Sequence, residues 1–306
     1  MDNAIHERSR TGYVLVFTVL IVLVILVATI AASIMLNDFT ATEPTLNEET
    51  IQHNTAETEE IWEEEETVEE DTSPASVLHL LPENPYDKFD FQYDGWFLKS
   101  TAVDCLSGID VSAYQGDIDW EQVADAGVDF AIIRLGYRGY ESGKLVEDKF
   151  ARQNLEGAAE AGIQLGVYFF SQALNPNEAR EEARFVLDMI DPYEIAMPVV
   201  FDWEHVNSET ARTNGMNPYA ATDCAQAFLE VIDEAGYWPM MYFNTFQAKK
   251  LFYLDQLMEY DFWLALYSDR MSFPYKVDMW QYTCTGQVPG IRGNVDINLY
   301  FPYESQ

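Results

Sequence analysis

Leu165-Gly-Val-Tyr-Phe-Phe170, then residues 175–190, then Pro198-Val-Val-Phe-Asp-Trp-Glu204: this stretch decides the fold. Two short apolar runs of strand length flank a segment with helical spacing. Asn175 is placed to cap that helix, with Pro176 at its first position. Strand, helix, strand in this order predicts a parallel β/α unit.

The unit repeats on both sides. Strand patterns fall at 108–112, 130–135, 165–170, 198–202, 240–243, 262–266, 277–280 and 295–297, and helical spacing at 120–126, 147–161, 175–190 and 218–235. About eight strands, the first five separated by helices, predict an α/β fold: an irregular TIM-like β/α barrel. The later strands lie too close together for a regular eightfold repeat. In such barrels the chemistry gathers at the C-terminal ends of the strands.

That rule selects four acids. Asp202 and Glu204 stand at i and i+2 on one strand end, so they face the same way, roughly 6–7 Å apart at the backbone. Asp110 lies on the first strand pattern. Asp296 lies on the last, beside the first if the barrel closes. Acids crowded into one cleft cannot all ionise, so at least one keeps its proton near neutral pH. A protonated carboxyl beside an ionised one is what glycosidic cleavage needs. Asp-x-Glu alone is a weak motif among 52 Asp and Glu, and a surface pair is the plain alternative. Tyr114, Tyr168, Trp203, Tyr242 and Trp280 are candidates to stack on sugar rings, with Gln281 and Arg134 as further substrate contacts. Arg134 is expected to pair with one of the acids and hold it ionised.

Composition sets the outer limits. The 306 residues carry 17 Lys and Arg against 52 Asp and Glu, a formal net charge of -35. That excludes most nucleic-acid binders, which need a basic surface. Three cysteines make no disulfide scaffold, and no Cys or His spacing suits a structural metal, so neither metal nor cofactor is expected. His205 is the one histidine near the acids and reads as solvent-facing or supporting.

The chain divides by charge and hydropathy. Residues 1–12 form a short segment with Arg8 and Arg10. Residues 13–36 run without a charge, longer than a signal-peptide core, and predict a transmembrane signal-anchor helix over a cleaved signal. The positive-inside rule then places 1–12 in the cytoplasm and the rest outside, a single-pass cell-membrane protein with its C-terminal domain extracellular. Residues 37–85 hold fifteen acids and no Lys or Arg, predicting an extended, disordered linker. Residues 86–106 form a lead-in rich in aromatics (Tyr86, Phe89, Phe91, Tyr93, Trp96 and Phe97), expected to pack on the domain that follows or to offer a glycan-binding strip. The barrel occupies 107–303.

Several motifs together resemble one family. Gly108-Ile-Asp-Val-Ser-Ala-Tyr-Gln-Gly116 with Ile118-Asp-Trp120, Phe130-Ala-Ile-Ile-Arg134, Gly166-Val-Tyr-Phe-Phe-Ser171, Pro198 to Glu204, Trp280-Gln-Tyr282 and Gly290-Ile-Arg-Gly-Asn-Val-Asp-Ile-Asn298 resemble, in order, the glycoside hydrolase family 25 lysozymes. The resemblance implies hydrolysis of the β-1,4 bond between N-acetylmuramic acid and N-acetylglucosamine in peptidoglycan glycan strands. It implies Glu204 as general acid, Asp202 orienting the substrate N-acetyl group or stabilising the transition state, and Asp110 and Asp296 completing an acidic floor. Cys284 stands where similar sequences often carry serine and reads as a small buried residue. A chitinase-like glycosidase and a non-catalytic wall-binding module are the competing readings.

Overall fold

The side-chain oxygen of Asn175 accepts the backbone N–H groups of Asn177 and Glu178, and the helix it caps runs Pro176–Ile190. Asp119 and Asn217 cap two other helices in the same way. These signals set the frame of a computed structural model that describes residues 72–302.

In chain order the elements are α1 (Pro74–Val77), β1 (Phe91–Asp94), β2 (Phe97–Ser100), β3 (Leu106–Val111), α2 (Trp120–Asp125), β4 (Phe130–Arg138), β5 (Leu145–Glu147), α3 (Ala151–Glu160) and β6 (Gln164–Ser171). Then come α4 (Pro176–Ile190), β7 (Val199–Trp203), α5 (Pro218–Glu234), β8 (Pro239–Asn244), α6 (Thr245–Lys250), β9 (Asp261–Ala265), β10 (Met279–Gly286) and β11 (Val295–Tyr300). Strands β3, β4, β6, β7, β8, β9 and β10 pair in parallel, and β11 runs antiparallel between β10 and β3. Eight strands therefore close a barrel. The irregularity is concentrated in β11, which follows β10 with no helix between, and in β5, which pairs only with β4.

Strand alternation sorts every side chain. Phe130, Ile132, Val200, Met240, Trp263 and Met279 fill the interior, while Val199, Phe201, Trp203 and Trp280 belong to the outer core under the helices. Two interior positions need glycine. A Cβ on Gly108 would come within 2.3 Å of the Phe130 ring, and one on Gly166 within 2.5 Å of the Ile132 side chain. The base of the barrel is thus plugged, and the opposite end carries the polar residues.

Three expectations need correction. The helix expected from 147 begins at Ala151, because 145–147 form β5 and the Asp148 carboxylate accepts the Phe150 N–H ahead of the first turn. The end of the expected linker is folded onto the barrel: α1 is followed by buried Leu78 and Leu81, and the Tyr253 hydroxyl donates to the Thr72 carbonyl at 2.7 Å. The apolar side chains at 77–81 supply the surface to bury that the preceding acidic run lacks. In the lead-in, Phe91 packs edge-on against Trp280 and Tyr86 lies against Phe301, whereas Phe89, Tyr93 and Trp96 are exposed. The third correction concerns localisation. Among the described residues no helix is long and apolar enough to cross a membrane, so the single-pass membrane assignment does not stand. The segments 1–12 and 13–36, and most of the acidic linker, lie outside the described residues.

Candidate active site

A cleft of about 930 Å³ opens at the C-terminal ends of the parallel strands, lined by Asp110, Tyr114, Arg134, Tyr168, Asp202, Glu204, Tyr242, Gln281 and Asp296 among others. Nine of the eleven expected site residues therefore meet in one place. Eight of them occupy inward positions, 110 on β3, 134 on β4, 168 on β6, 202 and 204 on β7 and just past it, 242 on β8, 281 on β10 and 296 on β11, and Tyr114 stands on the loop after β3.

Trp280 and Trp203 are the exceptions. Trp280 is fully buried outside the barrel, its indole N–H donating to the Leu266 carbonyl at 2.8 Å. Neighbouring strand residues face opposite sides, so Trp280 cannot share the interior with Gln281. The same parity turns Trp203 outward, between Asp202 and Glu204, where its N–H bonds the Ala173 carbonyl. His205 is exposed, and so is Cys284, contrary to its reading as buried.

Asp110 is the best-held acid. Gln281 Nε2 and Asn298 Nδ2 both donate to its Oδ2 at 2.8 Å. The Tyr242 and Tyr267 hydroxyls orient Gln281 by donating to its Oε1, and the Trp263 indole N–H donates to the side-chain Oδ1 of Asn298. These amides and the rings of Tyr242 and Trp263 serve the carboxyl from within the barrel, and the exposed Tyr267 reaches in from the rim. Asp202 contrasts with it: its Oδ1 is buried and has no hydrogen-bond partner.

Burial dominates the proton affinities. It pushes Asp110 well above the usual carboxylate range, with Asp296 adding to the effect and the two amide donors opposing it. It pushes Asp202 well above as well, with Glu204 and Asp110 adding and Arg134 opposing. Glu204 is raised by burial and then by Asp296. Burial lifts Asp296 to about 6. A site so built holds protons that isolated carboxyls would release.

Arg134 does meet an acid, but it is Asp148, which sequence reasoning missed. Its Nη2 lies 2.7 Å from Asp148 Oδ2, and the same oxygen accepts the Ala113 N–H. The Arg134 guanidinium also lies 5.3 Å from the ring of Tyr114, which is 87% exposed at the cleft rim. Asp148 ties the loop after β3 to β4, and its local mark is an Asx turn ahead of α3, its Oδ1 accepting the Phe150 N–H. Among the described residues no group of His, Cys, Asp and Glu side chains is placed to hold a metal ion.

Residues 109–291 match the sequence profile described as "Glycosyl hydrolases family 25". The chain belongs to this family. It is a glycoside hydrolase of the lysozyme type. This family 25 chain is 28% identical over 213 residues to Lysozyme M1 of Streptomyces globisporus, covering 64% of the chain and 67% of that protein. Among solved structures, the modular autolysin LytC from Streptococcus pneumoniae aligns with a TM-score of 0.56 at 27% identity, over 64% of this chain. The match spans about half of LytC, 47% of its length. A family 25 glycosyl hydrolase from Bacillus anthracis aligns with a TM-score of 0.53 at 25% identity, over 65% of this chain and 90% of that one.

Proposed function

We propose that this chain is a peptidoglycan hydrolase, an N-acetylmuramidase that cuts the β-1,4 bond between N-acetylmuramic acid and N-acetylglucosamine. The observation that carries the reading is the convergence of Asp110, Asp202, Glu204 and Asp296 in one cleft with their proton affinities raised. The LytC relative has been solved with a synthetic peptidoglycan ligand, which supports the substrate class.

Glu204 serves as general acid. Burial and the neighbouring Asp296 raise its affinity for the proton, and that proton passes to the glycosidic oxygen as the bond to the anomeric carbon breaks. Asp202 serves the substrate's 2-acetamido group. Its unpartnered Oδ1 supplies the acceptor that an acetamide N–H requires, and the N–H supplies the donor that a buried carboxyl oxygen lacks. Held so, the acetamide carbonyl oxygen attacks the anomeric carbon as the leaving sugar departs. Water then opens the cyclic intermediate and Glu204 takes back a proton, so configuration is retained with no covalent bond to the enzyme. Asp110 and Asp296 complete the floor of the cleft. Tyr114, Tyr168 and Tyr242 offer ring faces and hydroxyls to the sugars, and Arg134 keeps positive charge near Asp202.

Proton NMR of the first-formed anomer tests this route. Retention is expected, and an inverted product would replace the acetamide by a directly attacking water.

A further inference from the structure

Strand β7 stops pairing just before Glu204. Its ladder with β6 ends at Ser171 opposite Trp203, and its ladder with β8 ends at Tyr242 opposite Asp202. Successive carbonyls of an extended strand point to alternate sides. The carbonyls of Trp203 and Glu204 thus project beyond the last rungs, and both are captured. Gln247, on α6 directly after β8, donates Nε2 to the Trp203 carbonyl at 2.6 Å. Gln172, the residue after β6, donates Nε2 to the Glu204 carbonyl at 2.7 Å. Each amide is held in turn at its oxygen. The Asn244 N–H donates to Gln247 Oε1, and the Thr213 hydroxyl donates to Gln172 Oε1, both at 2.8 Å. Gln172, Gln247 and Thr213 are all buried, and none of them lines the cleft.

We propose that Gln172 and Gln247 are positioning residues for the Glu204 carboxyl: two side-chain amides extend the barrel ladder by one rung on each side of β7. The proposal rests on the reading of Glu204 as general acid. Residues 204–217 contain no strand or helix. The two amides therefore supply what the ladder does not at the residue from which the proton donor projects. A side chain displaced by as little as 1 Å loses most of its catalytic advantage. A freed Glu204 would also reach more solvent, and its proton affinity would fall toward that of an ordinary glutamate.

The test is steady-state hydrolysis of a soluble oligosaccharide of alternating N-acetylmuramic acid and N-acetylglucosamine, by the full chain and by Gln172→Met and Gln247→Met, with thermal unfolding in parallel. We expect kcat to fall by about tenfold or more with KM little changed, and the alkaline limb of the kcat profile to move to lower pH. Loss of fold stability alone would leave that limb in place. Should Gln172→Met fail to fold, Thr213→Val removes only the hydroxyl that orients the amide, and it should move the limb in the same direction with a smaller loss of kcat. Folded variants with wild-type kcat and an unmoved limb overturn the proposal. Full activity in Glu204→Gln would instead overturn the general-acid reading. An inactive Glu204→Gln beside unaltered glutamine and threonine variants rejects the positioning role alone.

Discussion

Asp296 on β11 stands directly opposite Asp110 on β3 in the antiparallel ladder that closes the barrel. Like charges at directly opposed positions destabilise a strand pair. The barrel keeps this pair because burial favours a proton on the carboxyls, and Asp110 is stabilised further by amide donors from β10 and β11. The seam that completes the fold is thus also the floor of the cleft.

Stability should fall as pH rises. Unfolded aspartate titrates near pH 4, whereas folded Asp296 titrates at about 6. The folded state therefore binds more protons between these values, and the stabilisation, complete below the lower one, is lost as pH passes the upper one. Asp110 and Asp202, raised in the same direction, extend the loss upward. Chemical denaturation across pH 4 to 8 should show declining stability with a shallower slope in Asp296→Asn. A rise over that range would contradict the raised affinities.

Asp202→Asn keeps the shape of the side chain but replaces the acceptor pair by an amide. The fold should survive and kcat should drop by about 10²–10⁴-fold, the usual scale for a positioned acid or base. Kinetics on purified peptidoglycan, with circular dichroism as the check on fold, measures this. Wild-type turnover would remove Asp202 from the mechanism.

Asp148→Ala should cost more stability than a surface change. Asp148 is fully buried and its Arg134 partner nearly so. Stripping one member of a buried ion pair costs about 3–5 kcal/mol because the other charge is left unpaired. Urea titration reads the loss, and a change below about 1 kcal/mol, the scale of an exposed pair, would show that the pair is solvated.

Trp280 and Tyr114 should separate packing from binding. Trp280→Ala opens the outer core, and such truncations cost about 3–5 kcal/mol. Tyr114, exposed at the rim, should cost almost no stability when changed to Ala, while KM for glycan rises. The opposite pattern, a stable Trp280→Ala with weakened substrate binding, would return Trp280 to the site.

The barrel was legible because interior strands read as short apolar runs, and the capping residue Asn175 with Pro176 marks where a helix begins. The four acids followed from a rule about strand ends. Trp280 was misplaced because an aromatic beside Gln281 looks like a sugar platform until strand parity is applied to the pair. Asp148, Asn298 and Tyr267 were not found. Each acts through another residue, Arg134, Asp110 or Gln281, and such partnerships are made by the fold and carry no fixed spacing: Asp148 and Tyr267 lie 14 residues from their partners, Asn298 lies 188 from Asp110. The lead-in of residues 86–106 shows the same limit. Its six aromatics look alike in sequence, yet packing against Trp280 on β10 and Phe301 after β11 covers Phe91 and leaves Phe89, Tyr93 and Trp96 in solvent.

Mass spectrometry of purified peptidoglycan, digested and then reduced with borohydride, tests the proposed chemistry most directly. Wild-type enzyme should release disaccharide-peptides whose reduced end is N-acetylmuramitol, and Glu204→Gln should release almost none. Fragments ending in reduced N-acetylglucosamine, or equal release by both proteins, would contradict the muramidase assignment.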